Sequence, residues 1–94
     1  MTMKDGTYQK TETGLIEVTP DFGYWVASRE ITPDELKTND FLGVWTDPET
    51  GKTWYDKTHF IEDLGTALIL AREWKQLAIW DNAKGVAIPM NPNY

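Results

Sequence analysis

The chain has no cysteine and a single histidine among its 94 residues. Without thiols there is no disulfide, no thiolate metal site and no cysteine nucleophile. One imidazole is a poor start for a metal centre, because histidine ligands usually come at least in pairs. Long apolar runs are missing too, and nothing approaches the ~20 residues of a transmembrane helix. The opening stretch, Met1 to Gly6, runs into polar sequence with no signal-peptide core. Basic residues are scarce: nine Lys and Arg stand against fifteen Asp and Glu, a net charge of −6. That balance excludes ordinary nucleic-acid binding, whose affinity comes mostly from phosphate neutralisation. Glycine-rich phosphate loops are absent, since Gly43, Gly51, Gly65 and Gly85 are spread apart. These absences predict a cytoplasmic protein with no cofactor, no metal, no membrane contact and no direct nucleic-acid contact.

What is present reads as one small domain over 14–89, with a mobile N-terminal tail over 1–13 and a non-regular C-terminal tail over 90–94. The tail 1–13 is polar and Thr-rich, and a weak edge strand is the alternative reading for it. Leu15–Val18 and Tyr24–Ala27 read as strands joined through Thr19-Pro20-Asp21-Phe22-Gly23, which suggests a hairpin. Thr32-Pro33-Asp34-Glu35 carries the capping-box signature of a short helix. Gly43–Thr46 and Thr53–Asp56 flank Asp47-Pro48-Glu49-Thr50-Gly51-Lys52, a type I turn with glycine at its left-handed position. Facing Asp47 with Lys52 sets Thr46 opposite Thr53 and Trp45 opposite Trp54. Asp63–Gln76 is the one substantial helix, capped by Asp63, with Leu64, Ala67, Leu68, Ala71 and Trp74 on one stripe and Leu70 at its edge. Leu77–Trp80 and Val86–Ile88 repeat the hairpin grammar around Asp81 and Gly85, with Ile79 opposite Ile88. The order predicts an α+β fold: a mainly antiparallel sheet built from hairpins, with one amphipathic helix packed on one face.

The stretch Gly43-Val-Trp-Thr-Asp-Pro-Glu-Thr-Gly-Lys-Thr-Trp-Tyr-Asp56, the capped helix with Ala67 and Ala71, and Gln76-Leu-Ala-Ile-Trp-Asp81 followed by Gly85 resemble small uncharacterised proteins of actinobacterial phages and prophages. The resemblance spans roughly residues 42–89. Leu64 and Gly65 depart from it, where charged residues are expected. It supplies no catalytic residues. It implies a setting instead, a phage accessory factor acting in the host-cell cytoplasm on a host protein.

Nine acids stand against three lysines between residues 30 and 63, so the whole net charge arises there. At least four of these acids read as caps or turn residues. The excess fits an electronegative docking surface or a nucleic-acid mimic. Five tryptophans, three phenylalanines and four tyrosines exceed what one modest core can hold. Trp74 and one of Trp45 and Trp54 are expected inside, with the remaining aromatic area at a contact surface or in a homo-oligomer interface. The predicted interaction surface is Asp47, Glu49, Trp54 and Tyr55 at one hairpin, with Ile69 as an exposed apolar residue opposite the helix stripe. No catalytic residue and no metal ligand is assigned. The rival reading is a small carboxylate or divalent-metal hydrolase or nuclease with a cleft joining Asp56, His59 and Glu62, and a virion or assembly component is a third. In the leading reading His59 is an exposed loop histidine just before the helix. A Ser-His-Asp arrangement through Ser28 is arithmetically open, but nothing around Ser28 forms a nucleophile elbow.

Overall fold

Asp47 and Asp81 each begin a five-residue turn that ends on glycine, and each turn closes the same way. The Gly51 N–H donates to Asp47 O at 2.8 Å, and the Gly85 N–H to Asp81 O at 2.8 Å. In each, the aspartate carboxylate also accepts a backbone N–H two residues on, Glu49 at 2.9 Å and Ala83 at 3.0 Å. This is the turn chemistry that the sequence specifies, and it fixes register on both sides. In a computed structural model, which describes residues 3–90, the strands are β1 (Gly6–Thr11), β2 (Gly14–Glu17), β3 (Tyr24–Glu30), β4 (Phe41–Thr46), β5 (Thr53–Ile61), β6 (Ala78–Asp81) and β7 (Val86–Pro89). One helix, α1 (Leu64–Glu73), and a 3-10 turn at Pro33–Glu35 complete the regular structure. The seven strands form one antiparallel sheet in the order β2-β1-β4-β5-β3-β6-β7, with α1 packed against it. Trp45 pairs with Trp54, Thr46 with Thr53 and Ile79 with Ile88, as the turns require. No helix among the described residues is long and apolar enough to cross a membrane.

Two expectations are corrected. Residues 6–11 are neither a tail nor an edge, because β1 lies between β2 and β4. Its alternation places Tyr8 against a buried cluster, so one aromatic supplies what the polar composition hid. The expected hairpin of Leu15–Val18 with Tyr24–Ala27 does not form: β2 pairs with β1, and β3 with β6. The tight Glu12-Thr13 turn, tied by the Thr11 hydroxyl donating to Gly14 O at 2.8 Å, returns the chain directly onto β1. Of the expected tails, residues 1–2 and 91–94 lie outside the described residues, while the Met90 N–H donates to Leu77 O at 2.8 Å.

The chain sorts into two compact units, each with its own buried cluster. Unit 1 is Met1–Val18 with Arg29–Thr58, and unit 2 is Thr19–Ser28 with His59–Tyr94. In unit 1, Ile31, Leu36, Leu42 and Val44 are buried, with Tyr8 and Tyr55 packed on them. The 3-10 turn brings Leu36 there. The Glu35 carboxylate accepts the Thr32 N–H at 2.7 Å, the return arm of a capping box, and Lys10 Nζ donates to Leu36 O at 2.8 Å. In unit 2, Val26, Ala67, Ala71 and Ile79 are buried. Asp63 caps α1 by accepting the Thr66 N–H at 2.8 Å, and these hydrogen bonds hold its carboxyl below the usual range. The helix ends at Glu73 and not at Gln76. Lys75 turns left-handed at φ 56°, and the Gln76 N–H donates to Ala71 O at 2.8 Å. Leu64 falls off the buried stripe and is 41% exposed, whereas Leu68, Leu70 and Trp74 pack on the cluster.

Candidate functional site

Alternation along β4 and β5 divides their side chains between two faces. Leu42 and Val44 point with Tyr55 toward the unit 1 cluster. Phe41, Gly43 and Trp45 point the other way, with Trp54, Asp56 and Thr58 opposite them. The register continues through Gln9 to Ile16 on β2, which therefore shares the Trp45 face. Trp45 and Ile16 are each 52% exposed. Trp54 is half-buried, and Lys52 Nζ lies 3.7 Å from its ring centroid, a cation–π contact. Neither Trp45 nor Trp54 belongs to the buried clusters, contrary to the expectation that one of them would, because their register puts both on the side away from Leu42 and Val44.

Asp56 stands on this same face, half-buried. Burial pushes its carboxyl up, and the neighbouring Glu30 charge pushes further in the same direction. Asp40, Glu35 and Glu17 each face a base, Lys57 at 3.8 Å, Arg29 at 3.8 Å and Lys4 at 3.6 Å. Asp56 has no ion-pair partner among the described residues. A carboxyl raised in the folded state holds its proton more tightly there than in the unfolded chain. The stability it contributes is therefore complete below 3.8 and is lost as pH rises through the folded value. Asp56→Asn is accordingly expected to raise Tm at pH 7. Solvent screening limits the gain to about 0.5 kcal/mol, or about 2–4 °C. At pH 3 the gain should vanish; paired thermal melts of the two chains at both pH values check this.

The predicted surface residues divide between these faces and the two units. Asp47 and Glu49 form the turn beside Trp45 and Trp54, with Asp47 occupied by the Glu49 amide and Glu49 exposed. Tyr55, although adjacent to Trp54, points to the opposite face. There it packs on the unit 1 cluster and lines a cavity of about 310 Å³ with Glu30, Ile31, Thr32, Glu35, Lys52 and Thr53. Ile69, on α1 in unit 2, is 62% exposed. Unit 2 also carries an aromatic group of its own. Phe60 meets Phe22 at 5.3 Å and Trp25 at 5.4 Å edge-on, and Trp25 pairs with Trp80. Trp45 was missed by the sequence reading of the surface, although the signal was in hand: the register that pairs it with Trp54 also puts it on Trp54's face.

His59 is not in a loop. It is a half-buried residue of β5, because that strand runs on to Ile61. Its Nε2 lies 2.9 Å from Ser28 Oγ, and its ring meets that of Trp74, the C-cap residue of α1, at 4.9 Å with a 40° tilt. The pair thus fastens the end of the helix to two strands of unit 2. Three residues apart on one strand, Asp56 and His59 project to opposite faces. Among the described residues no three His, Cys, Asp or Glu side chains gather closely enough to hold a metal ion. No family model, no curated protein and no solved structure matches the chain.

Proposed function

We propose that this chain is a non-enzymatic docking protein whose contact surface is the β4–β5 hairpin. Trp45, Trp54 and Ile16 supply its apolar centre, and Asp47 and Glu49 its acidic rim. The observation that carries the reading is the exposure of Trp45 directly across from Trp54, on a face that the unit 1 cluster does not use. Exposing apolar surface costs about 25 cal/mol per Å², and buried aromatic anchors ringed by polar groups dominate binding energy at protein interfaces. The charge of −6 keeps the surface soluble and steers it toward basic partners. In the setting that the phage-protein resemblance implies, the partner is a host protein in the host cytoplasm.

Affinity capture from an actinobacterial lysate tests this. The full chain should retain one discrete partner. Trp45→Ala should lose it, and the double charge reversal Asp47→Lys, Glu49→Lys should weaken it. Capture that survives both changes would end the reading. Retention of nothing but further copies of the same chain would replace the host partner with self-association, for which the half-exposed Phe22 and Trp80 of unit 2 are the supporting feature.

A further inference from the structure

The Trp45 face has an internal precedent for the kind of group it accepts. At Trp54 a cation is already in place, the Lys52 ammonium 3.7 Å above the ring. Directly across the ladder, Trp45 is 52% exposed and carries no cation among the described residues. Diagonal to Trp45 on the same face stands Asp56. Diagonal neighbours in an antiparallel pair lie about 7–8 Å apart, a gap that one planar side chain bridges. Among the described residues Lys52 makes no ion pair with Asp56, and its ammonium is engaged over the Trp54 ring.

From this juxtaposition we infer that the face recognises an arginine side chain of the docked partner, with the guanidinium flat on the Trp45 indole and its N–H groups donating to the Asp56 carboxylate. The inference rests on the docking reading and adds the chemistry of the partner. Arginine suits the site better than lysine. Its guanidinium is planar, weakly hydrated and able to stack on a ring while donating sideways, whereas an ammonium is a compact and strongly hydrated point charge. The electrostatics agree. Asp56 is half-buried, and both its burial and Glu30 disfavour its ionisation, so an arriving cation relieves an existing strain in charge.

The test uses the full chain and three capped tripeptides, acetyl-Gly-X-Gly-amide, with X as arginine, lysine or citrulline. The readout is the Trp45 indole N–H resonance in a proton–nitrogen correlation spectrum, assigned through Trp45→Phe. The arginine peptide should shift that resonance saturably. The lysine peptide should bind about threefold more weakly and the neutral citrulline peptide not at all. Asp56→Asn should weaken the arginine peptide by about threefold or more while the rest of the spectrum keeps its folded dispersion. Equal shifts from citrulline and arginine, or no shift from arginine in a folded chain, would overturn the inference. The two readings fail separately. If the lysate partner is lost with Trp45→Ala but held undiminished by Asp56→Asn, docking stands and arginine recognition falls. If neither change matters, the docking reading is the one that has failed.

Discussion

Replacing Leu42 by alanine is expected to destabilise the fold by about 2–5 kcal/mol. Leu42 is fully buried, and Ile31, Leu36 and Val44 form the rest of its cluster, with Tyr8 and Tyr55 packed on it. The loss is set by what cannot move. β4 is paired on one side with β1 and on the other with β5, so its backbone cannot sink into the space that the side chain leaves. The cavity term therefore adds to the lost transfer energy. A chain of 94 residues has a total stability of about 5–14 kcal/mol, so this single change removes a large share of it. In urea the midpoint should fall by about 1 M or more with little change in slope. Trp45→Ala is the contrast. A larger side chain is deleted, yet half of it already faces water, and the loss should be that of a cross-strand pair, about 0.2–1 kcal/mol. If Trp45→Ala costs as much as Leu42→Ala, Trp45 is core and the docking surface built on it disappears.

The contrast also shows which parts of the fold were readable from residues alone. The β4–β5 and β6–β7 hairpins were readable to the register because Asp-x-x-x-Gly turns are local: the aspartate carboxylate, the glycine dihedral and the closing hydrogen bond all lie within five residues. The helix start was readable for the same reason, through Asp63. The β1–β2 hairpin is local too, closed by the two-residue Glu12-Thr13 turn, but the polar β1 carries no alternating apolar run to announce it. That residues 6–11 lie inside the sheet is long-range: it rests on their pairing with β4 and on Tyr8 meeting residues more than 20 positions away. The site was half-readable. Two tryptophans opposite each other follow from the turn, but which face the core uses depends on where Ile31 and Leu36 return. Tyr55 was therefore grouped with Trp54, its sequence neighbour, although alternation sends the two apart. His59 was misplaced because β5 runs five residues past Asp56, and a strand's length is set by its partners more than by its own residues.

Gly23→Ala is expected to cost about 2–5 kcal/mol, far more than a surface glycine, and the reason is a collision added to a dihedral penalty. Gly23 has φ +75°, where an L side chain is strained by about 1–2 kcal/mol. A β-carbon there would also stand 2.6 Å from Cζ and 2.8 Å from Cε1 of Phe60. Phe60 meets Phe22 and Trp25 edge-on, so a shift that makes room for the β-carbon disturbs both contacts. The glycine itself is pinned, with its carbonyl accepting the Asn82 N–H at 3.0 Å while the Asn82 side chain donates to Phe22 O at 3.1 Å. Gly51 gives the matched control. Its φ is +76°, nearly the same, but nothing lies within 4 Å of where a β-carbon would be. Gly51→Ala should therefore show the dihedral penalty alone. The difference between the two variants in urea unfolding isolates the Phe60 contact, and the near-ultraviolet circular dichroism of Trp25 should change with Gly23→Ala only. Equal losses at both positions would mean that Phe60 swings aside without cost, and the aromatic group of unit 2 would then be a loose surface cover and not a packed part of the fold.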